Sequence, residues 1–326
     1  PIPAEAPEKK SPNTARSPLK RDIQPIKEWN VFVYVAGNND LYSFIDANIR
    51  QMAAIGSNET MNIIVQVDKF GTQDVIRALV KKDGNQVYWR ASNALPTERN
   101  AHPEIYNSGS VVNFTDFIET GMQMFPAQKQ AIIIWNHGSG LWDPNVWRRF
   151  TWNSRQQRGM AFNDNYGYFL SNQDLTAAFT HITKNCLNGR PVDVLGLDIC
   201  HGAQLETAQQ LNGLINYMVA SQESILASGW NYTKVLSRIS QGNRSPIEFC
   251  SDIVEAYRDA YRMTPDYTLS VLDMQTTASG SKTTLFTALI DNLDNLSGAL
   301  VGLLSGPQRA AVKQLIASTR KKACEF

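Results

Sequence analysis

Apolar residues along this chain gather in short blocks of one form. Val31–Ala36, Met61–Val67, Ala131–Trp135, Val192–Leu197 and Ile215–Ala220 are continuous runs rich in β-branched and aromatic residues, each closed by small or polar ones. Runs too short for helices and without alternation read as strands buried on both faces, the signature of a parallel sheet. Between them the period changes. Leu41, Phe44, Ile45, Ile49 and Met52 recur at three- and four-residue steps, and Asn113–Met124 repeats the pattern with Phe114, Phe117 and Ile118. Both predict helices. Ser171 with Asp174 three residues on gives a capping-box-like start to another. Ala203–Leu214, Phe249–Tyr261, 283–303 and 307–322 also read as helical. Helix-sized material between buried strands makes βαβ units, so the expected fold is an α/β sandwich with a mainly parallel central sheet. Val75–Lys81 and Gln86–Arg90 flank an Asp-Gly turn and predict a hairpin, and Leu269–Asp273 predicts a sixth core strand. Residues 93–110 and 144–163 read as exposed loops; the second carries Arg148, Arg149, Arg155 and Arg158 and no acidic residue.

Composition narrows the picture. The 326 residues are 43% hydrophobic and 19% charged, a globular balance with a substantial core. A net charge of +1 gives no overall electrostatic case for nucleic acid or an anionic membrane. No stretch approaches the ~20 apolar residues that span a bilayer. Four scattered cysteines without a CxxC spacing (Cys186, Cys200, Cys250 and Cys324) make neither a disulfide framework nor a structural zinc site. Residues 1–27 contain six prolines among Lys, Arg and Glu and read as a flexible tail, leaving 28–326 as one domain with a helical C-terminal portion. A Pro/Lys/Glu/Ser-rich start at Pro1 has the character of a segment that follows a secretory signal, so a secreted, periplasmic or cell-surface protein is expected.

Two predicted strands end in reactive side chains. Ala131–Trp135 runs into Asn136-His137-Gly138-Ser139-Gly140, and Val192–Leu197 runs into Asp198-Ile199-Cys200-His201-Gly202. In a parallel sheet both carboxyl ends lie on one edge, where α/β proteins place their ligands. An imidazole beside a thiol lowers the thiol pKa and can protonate a leaving amine. Gly138 would let a backbone N–H approach a substrate carbonyl, with the Cys200 N–H as the second oxyanion donor. The plainer reading, a buried cysteine and a turn histidine, is the commoner fate of each residue alone. His201 adds a third ligand type but no fourth, and no H-x₃-H spacing occurs, which argues against zinc. Asp198 precedes Cys200 by two, so alternation puts both on one face, and a carboxylate there would favour Arg or Lys before the scissile bond.

These blocks, with Trp29–Asn39, Gln66-Val67-Asp68 and Val219–Glu223 followed by Gly229-Trp230, resemble the clostripain-like cysteine peptidases. That family sits in the caspase-like clan with legumain, gingipain and separase. The resemblance covers residues 29 to about 275 and implies a caspase-like three-layer α/β/α sandwich. It also implies a His137–Cys200 dyad, protein or peptide substrates cut after Arg or Lys, and maturation by a self-cut between the two. Arg148, Arg149, Arg155 and Arg158 are then the candidate cut sites. It further implies Ser221 and Trp230 beside Asp198 in the substrate cleft, Asn39 in a place similar to the Asn that orients the legumain histidine, and calcium as a cofactor of some members. Asp40, Asp68 and Asp164 are isolated acids that define no calcium loop. A monomer is expected. The chain departs from the family at Ile199, where a small residue is usual, at His201, where histidine is not, and at Gln222, where the family more often has glutamate. Two other classes stay open: a catalytically silent peptidase-like binding module, and a doubly wound small-molecule binder, disfavoured because no G-x-G-x-x-G follows the first strand.

Overall fold

The computed structural model describes residues 25–71, 75–82, 86–89, 107–140, 159–264, 267–277 and 279–322. Its centre is an eight-stranded sheet in the order β10-β9-β8-β5-β1-β2-β3-β4. The strands are β1 (Lys27–Gly37), β2 (Met61–Lys69), β3 (Val75–Leu79), β4 (Val87–Trp89), β5 (Ala127–Trp135), β8 (Val192–Asp198), β9 (Ile215–Ala220) and β10 (Ser270–Asp273). The five central strands β9, β8, β5, β1 and β2 are parallel, and antiparallel pairings finish both edges: β10 on β9 at one, the β3–β4 hairpin on β2 at the other. The expected sixth strand is therefore present, running against its neighbour.

Alternation along each buried strand divides the core in two. Phe32, Tyr34, Ile132, Ile134, Leu195 and Leu197 face α2 (Val111–Met124) and α3 (Asn172–His181). Val31, Val33, Ile133 and Val194 face α1 (Tyr42–Ile55), α5 (Tyr232–Ile239) and α6 (Pro246–Tyr261). Helices on both faces of a mainly parallel sheet make the three-layer sandwich that the strand pattern requires. The capping box expected at Ser171 is formed: its hydroxyl accepts from the Asp174 N–H, and the Asp174 carboxylate accepts from the Ser171 N–H.

Three expectations need correction. Residues 159–163 are a fully buried strand, β6 (Gly159–Asn163), paired with β7 (Tyr168–Ser171), and only 144–158 of the expected Arg-rich loop fall outside the described residues. The helix after Cys200 shrinks to α4 (Leu205–Gln210), because the Ala203 N–H is held by the Ser221 carbonyl and Gly213 (φ 80°) turns the chain beyond Leu211. Tyr232–Ile239 is a helix where none was predicted. At the far end α7 (Leu285–Ser305) and α8 (Arg309–Lys322) form the helical C-terminal portion, seated on the sandwich through buried Phe286. No helix among the described residues is long and apolar enough to cross a membrane.

Candidate active site

The site grows out of strand register. Trp135 of β5 lies opposite Asp198 of β8, and the Asn136 N–H donates to the Asp198 carbonyl at 3.3 Å. Two residues beyond each partner stand His137 and Cys200, so the parallel ladder delivers imidazole and thiol at the same level of one edge. Gly138 then runs against Cys200. A β-carbon at Gly138 would fall 2.2 Å from the Cys200 carbonyl oxygen, a clash that only glycine avoids. Ile199 lies beneath this contact, 1% exposed and part of the core, which is why a large residue is tolerated before the cysteine.

His137 is 30% exposed, and its Nε2 meets Asp40 Oδ1 at 2.7 Å. Asp40 sits in the turn after β1, one residue past Asn39. The orienting role expected of Asn39 is thereby corrected: its amide donates to the Ala36 and Phe162 carbonyls (3.0 and 2.9 Å), and its oxygen accepts from the Leu41 N–H. With its polar atoms engaged in the turn, Asn39 shapes the loop while Asp40 reaches the imidazole. The His137 turn is also stitched to β6. Ser139 Oγ accepts from the Gly159 N–H at 3.0 Å, Gly138 bridges to Met160, and Asn136 bonds Phe162 through both its amide and its carbonyl.

Cys200 is half-buried, and the Ile225 N–H points at its sulfur from 3.4 Å. Asp198 lies below, 1% exposed, its Oδ2 accepting from the Trp230 N–H (3.0 Å) and the Tyr232 hydroxyl (2.9 Å) while Oδ1 has no partner among the described residues. Burial pushes its pKa up to about 7, against the opposing pull of those two donors. Ser221 and Trp230, expected in the substrate cleft, both lie in the interior beside Asp198. Ser221 is fully buried with its hydroxyl shared between Thr268 and the Glu223 N–H, and Trp230 is 1% exposed with its ring over Gly196. Both build the site from behind. Arg148, Arg149, Arg155 and Arg158 lie outside the described residues.

The donor set does not fit calcium. Asp68 is 3% exposed, and its carboxylate takes donors from Asn38, Ser108 and Asn163 at 3.1, 3.1 and 2.7 Å. Among the described residues no group of three or more His, Cys, Asp or Glu side chains could hold a metal ion. A depression of about 550 Å³ lies elsewhere, lined by Glu28, Lys129 and Arg244 at the opposite edge of the sheet.

The sequence model of the clostripain family matches residues 33–309. The chain belongs to the clostripain family of cysteine peptidases. No curated protein sequence gives a significant match. Among solved structures, a C11 protease from Parabacteroides distasonis described as an inactive zymogen superposes with a TM-score of 0.57 at 20% identity, over 87% of this chain and 68% of that one. A secreted C11 cysteine protease from Bacteroides thetaiotaomicron, in complex with an irreversible peptide inhibitor, gives 0.55 at 20% identity over 76% and 66%. The chain thus spans about two thirds of the length of each, and these likenesses bear on the fold. Asp40, Ile225 and Tyr232 are site residues that sequence reasoning did not assign; for Asp40 the available signal was an acid in the turn closing a core strand.

Proposed function

We propose that this clostripain-family chain is an endopeptidase that cleaves after Arg or Lys through a His137–Cys200 dyad. The observation that supports the reading is the β5–β8 register, which brings together the strand ends that carry the two residues, with Gly138 pressed against Cys200. His137 takes the Cys200 thiol proton as the sulfur attacks the carbonyl carbon, and the oxyanion is received by the Gly138 and Cys200 N–H groups. As the C–N bond breaks, His137 protonates the amine, leaving a thioacyl enzyme. His137 then takes a proton from the water that hydrolyses it. With Nε2 engaged by Asp40, Nδ1 is the nitrogen left for this exchange.

Asp198 supports the preference for a basic residue. Its oxygen without a partner among the described residues and its costly burial would both be relieved by a guanidinium or ammonium brought by the substrate. The Gly229 backbone lies over this carboxyl, so entry requires the 226–229 segment to shift. Self-cutting within 144–163, at Arg148, Arg149, Arg155 or Arg158, belongs to the same reading. A cut there would leave β6 fastened to the His137 turn through Ser139 and Asn136. A secreted, periplasmic or cell-surface location is supported by a neighbour described as secreted, and a monomer completes the proposal.

Hydrolysis of Arg, Lys, Asn and Asp reporter peptides by wild type and Cys200→Ala tests it. Turnover confined to Arg and Lys, lost in Cys200→Ala together with the self-cut, is the expected result. Preference for Asn or Asp would overturn the Asp198 assignment, and turnover by neither protein would favour a silent binding module.

A further inference from the structure

His201 follows the proposed nucleophile directly and holds φ at 52°, a left-handed conformation uncommon outside glycine, though His, Asn and Asp adopt it more often than other side chains. Its ring is fixed at both nitrogens. Nδ1 lies 3.2 Å from the Gln222 carbonyl, which can only accept, so Nδ1 carries the proton. Nε2 then accepts from the Ser224 hydroxyl at 3.3 Å, and the His201 N–H donates to the Glu223 carbonyl at 3.0 Å. One residue therefore grips three successive residues of the loop after β9. From its other side that loop is anchored by Ser221 and Thr268, which both receive the Glu223 N–H. The next peptide is the one that meets the sulfur: Ile225 N lies 3.4 Å from Cys200 Sγ and Ile225 O lies 3.9 Å from it.

We propose that His201 is a positioning residue, holding the Gln222–Ser224 turn so that the Ile225 N–H donates to Cys200 Sγ and favours its thiolate. The proposal rests on Cys200 being the nucleophile. A hydrogen bond to the charged form of a group lowers the pKa of an acid such as a thiol, and the bond is stronger than one between neutral partners. The titratable groups on the elements around this sulfur are His137 after β5, Asp198 two residues back, Glu223 in the loop, and Tyr257 of α6, which feels the charges of both Asp198 and Cys200. The loop supplies a donor that does not itself titrate.

The test is the pH profile of Cys200 alkylation by iodoacetamide on the full chain. It is read by mass spectrometry of the Cys200 peptide, so that Cys186, Cys250 and Cys324 do not contribute. His201→Gly keeps the left-handed backbone without penalty and deletes both ring contacts; the alkylation midpoint should rise by about one pH unit. On an Arg reporter, kcat should fall about tenfold with KM little changed. His201→Asn, whose Nδ2 takes the place of ring Nδ1 and whose backbone tolerates this φ, should restore most of the midpoint. Ser224→Ala leaves the backbone alone and should move it in the same direction by less. An unmoved midpoint in both His201→Gly and Ser224→Ala overturns the proposal while the dyad stands. Full turnover by Cys200→Ala would instead remove the dyad reading itself.

Discussion

The two edges of the central sheet treat their polar groups in opposite ways. At the amino edge Lys129 pairs with Glu28 at 2.9 Å, donates to the Arg244 carbonyl and lies over the Trp29 ring. Glu28 also receives the Asn243 and Arg244 N–H groups. Each charge there has an opposite charge or a donor, with water near. At the carboxyl edge Asp198 is buried with an oxygen that has no partner among the described residues, His201 is held at φ 52°, and Gly138 sits where no side chain fits. Such strain persists only where the surrounding structure over-determines it, and it gathers at functional sites. The amino edge contributes stability, whereas the carboxyl edge gives stability up for chemistry.

Asp198→Asn should break this contrast most. If the carboxyl receives the basic side chain, kcat/KM on Arg reporters falls roughly a hundredfold or more, because a charge would enter a buried site without its partner. Stability should move the other way. Burial raises the folded pKa to about 7, while an unfolded Asp titrates near about 4. Between those values the folded chain keeps a proton that the unfolded chain releases, so wild-type stability falls as pH rises through the window. Urea melts of both proteins from pH 4.5 to 8 should show Asp198→Asn gaining on wild type with pH, by at most roughly 4 kcal/mol. A constant difference across that range would mean the carboxyl is not protonated at its low end.

Asp40→Asn comes next. The pair with His137 is half open to water, Asp40 being 48% exposed, so orientation rather than a large electrostatic effect is what the substitution removes. Expected is a kcat roughly tenfold lower with KM and thermal stability little changed. A rise in KM alone would place Asp40 among substrate contacts.

How far the sequence foretold this site follows from what each residue leaves in a linear pattern. The central strands were legible because burial on both faces demands continuous apolar runs, and His137 and Cys200 because each closes such a run. β6 was not, since Met160-Ala161-Phe162 is a brief apolar stretch behind a basic loop, and its pairing at Gly138 and Ser139 is visible only in three dimensions. α5 left a signal that went unread: Tyr232, Val235, Leu236 and Ile239 fall at helical spacing and are all buried. Asn39 and Asp40 are neighbours in one turn, and only its geometry decides which reaches the imidazole. Ser221 follows β9 directly and Trp230 stands two residues before α5, but position along the chain does not say which way a side chain packs.

The smallest expected effect belongs to the amino edge. Burial there raises the Glu28 pKa, yet the Lys129 ammonium and the Asn243 and Arg244 N–H groups outweigh it and hold the carboxyl below its ordinary range. A depressed folded pKa contributes stability that is present above about pH 4.3 and lost as pH falls through the folded value. Glu28→Gln keeps the shape and an acceptor oxygen and removes only the charge. It should therefore cost about 1 kcal/mol or less at pH 7, with the deficit vanishing in acid and shrinking with added salt. Peptidase activity should not change, because nothing at this edge reaches the carboxyl ends of β5 and β8. If Glu28→Gln lowered kcat as Asp40→Asn is expected to, the two edges would be coupled through the length of β1, and the division between a stabilising edge and a reactive one would fail.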